Sequence, residues 1–477
     1  MPRPSWVDLP QEAVLKREEE FFTSWLTGVY RAHDRKRLNF FEHNFEVWRQ
    51  IWRTTERADV FLFVLDVRMP LFHLSLALFR FLSRRFEGEA GPGPGNIIFV
   101  VNKVDMVPPE FVELWSQYFQ RRFPGVPVVP FCVPKSGSAH LQDTPSVSAL
   151  LAALRSRRVT KRSDGRLLVR RAEEFFCARR GQEEVEEEAE QRFRHPRTLT
   201  VALMGDPNMG KSSVINAIFG KKVVSSSATP GHTKHFQTHF LPLNRLGDDA
   251  SESDEGLSNL CFMDSPGIVV PKLDVPRSVQ VVFGSYRIAN LREPYSVLRW
   301  LMESGVGLVG RHKLDKYREC QEHSKPLSID EPWTPLSVCE AYARKRCFFT
   351  KKGAPEPYRA ANNILRDVLN GRGVVAFYLP PGCEGQIGSM RELAQSWVRE
   401  KEDDSDDEKD WEGEGAKRRH EAESDVLGEG DSDEDEDEDE DDEEDDDALP
   451  AAVHGGKGGN VFQALFSDSE DDEDDSD

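Results

Sequence analysis

Residues 60–66 read Val-Phe-Leu-Phe-Val-Leu-Asp, six apolar positions in a row closed by a carboxylate. A short run with no polar interruption predicts a strand buried on both faces, as in a parallel sheet. The same pattern recurs at Ile97–Val101 closing on Asn102, at TLTVALM (198–204) closing on Gly205, and at LCFMD (260–264). Between these runs the apolar spacing changes to three and four. Phe41, Phe45, Trp48 and Trp52 predict a helix within 40–57, LSLALFRFLSRRF (74–86) predicts a second, and Glu110–Arg122 a third. A further strand, PVVPFCV (127–133), completes a β–α–β–α–β block. That alternation predicts an α/β fold, a mostly parallel sheet with helices on both faces.

Four segments depart from it. Residues 1–39 are polar and helical in spacing, an extension to a core domain at 40–275. Within that domain, 156–196 passes from basic RSRRVTKRSDGR to acidic EEVEEEAEQ, which predicts an insertion, linker or solvated helix. Residues 276–395 read as a mostly helical domain with a short strand at VVAFY (374–378), and 396–477 is a low-complexity acidic tail without a fold.

Charge sharpens the division. Residues 401–477 carry 37 acidic and 6 basic side chains, a net of −31 against −22 for the whole chain, which leaves residues 1–400 at +9. A basic body with an acidic tail suits a polyanionic partner such as RNA, although +9 spread over 400 residues is also an ordinary solvated surface. The tail is a place for protein partners, and Ser467 and Ser469 lie in acidic surroundings suited to phosphorylation. The seven cysteines form no CxxC pair, so neither a disulfide framework nor a zinc site is indicated. The start has no signal-peptide pattern and the apolar runs are too short to cross a bilayer. The expectation is a soluble protein of a reducing compartment, cytoplasm or nucleus (nucleolus included), with no membrane partner.

The chemistry sits at the ends of the strands. Gly205-Asp206-Pro207-Asn208-Met209-Gly210-Lys211-Ser212 is a GxxxxGKS phosphate loop between a predicted strand and a predicted helix, continued by Ser213. Glycines let backbone N–H groups curl around phosphate, Lys211 meets the β and γ oxygens, and the Ser212 hydroxyl is a ligand for Mg²⁺. Asn102-Lys103-Val104-Asp105 supplies base selection. A carboxylate at Asp105 accepts from N1–H and the 2-amino group of guanine, whereas adenine would leave it unpaired. Asn102 braces the loop and the Lys103 stem lies over the base. Asp264-Ser265-Pro266-Gly267 adds a carboxylate for Mg²⁺ and an N–H for the γ-phosphate, and Thr233 in TPGHT a second hydroxyl for the metal. His232, His235 and His239 lack neighbouring carboxylates or thiolates and do not suggest a metal site.

The order NKVD, GDPNMGKSS, TPGHT, DSPG resembles the circularly permuted GTPases of the YlqF/YawG family, with the guanine nucleotide-binding protein-like group, related to the large-subunit GTPases, as the nearest resemblance. It covers residues 40–395, and the tail and the 156–196 segment lie outside its motifs. The resemblance implies a P-loop G domain, GTP and GDP as ligands, Mg²⁺, and a switch acting in ribosome assembly with a ribosomal subunit or rRNA as partner. A regulatory scaffold that signals through protein partners with little turnover is the alternative. The family's Ser-Ala base contact would fall near Phe131-Cys132-Val133, where this sequence departs from the pattern. Permutation places the DSPG segment directly before the helical domain, so nucleotide state is expected to bias that domain. Ile268 replaces the glutamine that orients water in many GTPases, so hydrolysis is expected to be slow without an activator. Lys211, Thr233, Gly267 and Asn208 are the residues expected to support it, Asn208 by helping to bind K⁺ or by shaping the loop.

Overall fold

The fold is taken from a computed structural model that describes residues 10–85, 96–133, 145–163, 166–177, 197–225, 237–242, 257–304, 308–318, 332–372 and 376–386, with 388–389 and 392–393. The acidic tail, Thr233, His232, His235, Ser467 and Ser469 lie outside these residues.

The uninterrupted apolar runs become the centre of one sheet. Its strands are β1 (Val60–Asp66), β2 (Ile97–Asn102), β3 (Val128–Pro130), β6 (Leu199–Met204), β7 (Gln237–Pro242) and β8 (Leu257–Asp264), in the order β3-β2-β1-β6-β8-β7. All pairs are parallel except β7 with β8. β1 is central because it has no face that water can reach: every residue in it is 0–1% exposed. Its alternation sends Phe61, Phe63 and Leu65 to one face and Val60, Leu62 and Val64 to the other. Each buried phenylalanine contributes about 2–3 kcal/mol of transfer free energy.

Helices cover both faces. On the first lie α2 (Phe45–Arg57), α4 (Leu76–Arg85) and α5 (Pro109–Arg122), through Trp48, Trp52, Leu82, Phe111, Trp115 and Phe119. On the second lie α6 (Pro145–Arg155) and α7 (Lys211–Phe219), through Leu150, Leu154, Val214, Ile215 and Ile218. Helix α2 starts where Asn44 accepts from the Glu46 N–H, which replaces one missing intrahelical partner. Helix α1 (Gln11–Ala32) seats Phe22 and Trp25 against Trp48, and the one-turn α3 (Pro70–His73) follows β1.

A third core belongs to the helical region, α8 (Arg277–Val282), α9 (Tyr295–Glu303), α10 (Leu308–Arg311), α11 (Pro335–Lys345) and α12 (Pro357–Leu369). Met69 and Phe72 of the sheet domain join it, so the two parts share apolar contacts. Among the described residues no helix is long and apolar enough to cross a membrane.

Several local expectations change. Part of 156–196 forms the antiparallel hairpin β4 (Arg158–Ser163) and β5 (Arg166–Arg171) rather than a solvated helix. The expected strand at VVAFY is absent from residues 376–378, which run irregularly: Tyr378 N donates to Arg68 O and Trp115 Nε1 to Tyr378 O. Residues 39–42 are not helical. They lie against the segment after DSPG, with Asn39 N donating to Lys272 O and Glu42 N to Val269 O.

Candidate functional site

The carboxyl ends of β1, β2, β6 and β8 meet at one edge of the sheet, where Asp66 is in register with Asn102 and Leu203 with Asp264. Open parallel sheets bind ligands at this edge. β6 delivers the chain into the 205–212 loop and α7 leaves it. The cap of α7 is Gly210, at φ +91° and without a side-chain acceptor, so the first N–H groups of the helix face the loop.

Glycine at 205 and 210 is required by space. A Cβ on Gly205 would come within 2.6 Å of Val64 O, and one on Gly210 would strike the Asn102 amide. The loop is braced from β2 by Asn102 Nδ2, which donates to Met209 O at 2.8 Å. Lys211 is folded onto its own loop, donating to Gly205 O at 3.0 Å and to Asp206 O at 2.8 Å. Burial pushes its ammonium down to about 8, against the pull of Asp264 and Asp206.

Ser212 Oγ donates to Asp264 Oδ2 at 2.7 Å, which joins the loop to the end of β8. Burial raises the Asp264 carboxyl, opposed by the Ser212 hydroxyl and by Lys211. Its second oxygen, Oδ1, is buried with no hydrogen-bond partner. An orphan carboxylate oxygen beside a hydroxyl is a donor set that fits a hard divalent cation. Gly267 abuts Pro207, where an added Cβ would lie 2.6 Å from the Pro207 nitrogen. Ser265 donates to Leu203 O and is buried in the strand layer. Ile268 is 4% exposed in the first core.

The Asn102–Met106 loop takes a definite shape. Lys103 adopts a left-handed φ of +64° and caps a 3-10 turn, Val104–Met106, that presents Asp105 at the surface. The Lys103 ammonium is bound to Asp66 Oδ2 at 2.9 Å, a partner that the sequence did not suggest.

Asp66 is fully buried and also accepts from Arg68, Nη2 to Oδ2 at 2.7 Å and Nε to Oδ1 at 3.0 Å. Burial pushes the Asp66 carboxyl up, but Arg68 and Lys103 outweigh it and hold the group well below the ordinary range. Arg68 Nη1 donates to Val368 O at the end of α12, tying this loop to the helical region. The signal in sequence was slight: a charged pair, LDVR, directly after a fully apolar strand. His73 and Ser285 were also missed. Both bond to Asp206 Oδ2, at 3.2 and 3.0 Å.

The structure thus brings Asn102 to the phosphate loop, Ser212 to Asp264 and Gly267 to Pro207, all at one strand edge. His239 lies on β7, and among the described residues no cluster of three histidine, cysteine or carboxylate side chains is grouped to hold a metal. Phe131 N donates to Val101 O and Cys132 N to Ser146 Oγ, which fixes the start of the loop after β3.

A family model described as a 50S ribosome-binding GTPase matches residues 200–321. Guanine nucleotide-binding protein-like 1 of Rattus norvegicus is 31% identical over 440 residues, covering 83% of this chain and 67% of the relative. The Homo sapiens protein of the same name is 32% identical over 430 residues, covering 81% and 66%. GTPase LSG1-1 of Arabidopsis thaliana is 28% identical over 394 residues, covering 80% and 67%. The chain spans about two thirds of the length of these relatives. Among solved structures, GNP-bound YlqF from T. maritima is 18% identical, with a TM-score of 0.39, covering 70% of this chain and 99% of that one.

Proposed function

This chain belongs to the guanine nucleotide-binding protein-like family of GTPases, and from that premise we propose that it is a GTP-hydrolysing switch in ribosome assembly. The observation that carries the site assignment is the Ser212–Asp264 contact with its orphan carboxylate oxygen, beside the Asn102 brace.

In this reading residues 40–275 form the permuted G domain and 276–395 the helical domain that reads its state. Asp105 pairs with the guanine edge and Asn102 keeps that loop in register with the phosphate loop. Lys211 leaves the Gly205 and Asp206 carbonyls for the phosphates, which return the charge balance that burial removes. Ser212 and Asp264, with Thr233, hold Mg²⁺, which when bound neutralises phosphate charge; Gly267 offers its N–H to the γ-phosphate. Ser213, Pro207 and Met209 complete the cradle. Asn208 commits its amide nitrogen to Gly284 O at 3.1 Å, so its oxygen is the end available to K⁺.

Ile268, packed in the core, supplies no hydrogen bond to an attacking water, so turnover is slow until an activator binds. The partner is a ribosomal subunit or its rRNA, met in the cytoplasm or nucleus. The family model's description and the basic body support that choice.

Sedimentation of the full chain with ribosomal particles tests the function. Protein loaded with a non-hydrolysable GTP analogue should travel with a subunit and the GDP form should not. Absence from the particles in both states favours the scaffold alternative. Single-turnover hydrolysis in K⁺ and in Na⁺, for wild type and Asn208→Ala, tests the potassium role, and equal rates in both salts would remove it.

A further inference from the structure

Two side chains of the phosphate loop reach out of the G domain to the same turn. Asn208 Nδ2 donates to Gly284 O at 3.1 Å, and Ser285 Oγ donates to Asp206 Oδ2 at 3.0 Å. His73 Nδ1 meets the same Asp206 oxygen at 3.2 Å, and Asp206, His73 and Ser285 are all under 5% exposed. A buried carboxylate beside the place of the phosphates is electrostatically unfavourable there and needs donors to hold it. These two supply them.

The turn is itself rigid. Ser285 N and Tyr286 N both donate to Gln280 O, at 2.8 and 3.1 Å, and the Gln280 side chain is bonded to the backbone of Phe40 at both ends of its amide. Gly284 has φ +83°, and a Cβ there would meet Leu369 Cδ1 at 2.9 Å and Asn208 Cβ at 3.1 Å. The turn therefore fills the gap between the phosphate loop and the end of α12. Asn208 holds a left-handed φ of +63°, a conformation open to asparagine more than to most side chains, and its amide bond to Gly284 O holds it there.

We infer that Ser285 is a positioning residue for GTP hydrolysis: from the helical region it fixes Asp206 and, with the Gly284 carbonyl beside it, sets the orientation of Asn208 toward the γ-phosphate. The inference rests on the GTPase reading of this loop. It gives the helical region a direct grip on the reacting end of the nucleotide, separate from the segment that follows DSPG.

The test uses the full chain with Ser285→Ala, Ser285→Thr, Asn208→Ala and the Ser285→Ala/Asn208→Ala double variant, in single-turnover hydrolysis and GTP binding. Ser285→Ala should slow hydrolysis about tenfold, the scale of a small misplacement of catalytic groups, with GTP affinity held within about threefold. Ser285→Thr keeps the hydroxyl and should recover most of the rate. The double variant should be no slower than Asn208→Ala alone, because the serine acts through the asparagine.

A wild-type rate for Ser285→Ala, no recovery with threonine, or multiplied losses in the double variant would each overturn the inference. So would a loss of GTP binding in proportion to the loss of rate, which assigns the serine to nucleotide binding rather than to hydrolysis. Equal wild-type rates in K⁺ and Na⁺ would sink the potassium reading, while the ratio of Ser285→Ala to wild type still decides the role of Ser285.

Discussion

Replacing Asp66 by asparagine removes one negative charge from beneath two cations, one fully buried and the other largely so. The carboxylate and Arg68 are each 0% exposed, and the Lys103 side chain is 15% exposed. Asp66 accepts from Arg68 Nε, Arg68 Nη2, the Arg68 backbone N–H and Lys103 Nζ, all between 2.7 and 3.2 Å. Asparagine keeps the shape but turns one acceptor into a donor aimed at donors.

Removing one partner of a buried ion pair costs about 3–5 kcal/mol, roughly a fifth or more of the stability of a typical domain. At about 2–4 °C per kcal/mol for a domain of this size, Asp66→Asn should lower Tm by roughly 10 °C. Thermal unfolding at pH 7 measures it, with Asp274→Asn as control. That carboxylate pairs with Arg37 in solvent, and its loss should fall within the scatter.

The pH dependence gives a second reading of the same group. Because the folded Asp66 is held below its unfolded value near 4, its contribution is complete above about pH 5 and is lost as pH falls toward the folded value. Wild type should lose stability more steeply than Asp66→Asn below pH 5. A variant that melts within about 2 °C of wild type, a third of the least shift expected, with an unchanged acid profile, would refute the account of this triad.

Three further outcomes are expected. Asp105→Asn should shift preference from GTP to xanthosine triphosphate, whose carbonyl replaces the guanine amino donor; equal binding of ATP and GTP by wild type would contradict the loop assignment. Lys211→Met should abolish tight GTP binding yet leave the nucleotide-free protein as stable as wild type at pH 7, because the native ammonium is buried against its preference; a clear fall in Tm would show that its two carbonyl bonds outweigh that cost. Deleting residues 401–477 should strengthen RNA binding and steepen its fall with salt, measured by filter binding across ionic strengths, whereas an affinity indifferent to both would leave the basic body as an ordinary surface.

What the sequence determined alone was whatever is decided within a few neighbouring residues. A strand buried on both faces has to be apolar at every position, so β1, β2, β6 and β8 were visible as runs, and their order with the motifs set the permuted arrangement. The phosphate loop, NKVD and DSPG are each contiguous in sequence, so Lys211, Ser212, Asp264 and Asp105 could be named without coordinates. Half-exposed elements escaped. The edge strand Gln237–Pro242 and the hairpin at Arg158–Arg171 carry no run of buried positions, and their pairing depends on a partner rather than on local pattern.

Only tertiary structure decided that Asp66 answers Lys103, 37 residues away, that Arg68 reaches Val368 across 300, and that Ser285 closes on Asp206 across 79. In sequence a buried arginine or serine looks like an exposed one. What makes it part of the site is the partner that compensates its lost hydration, and that partner is brought to it by the packing of segments distant in the chain.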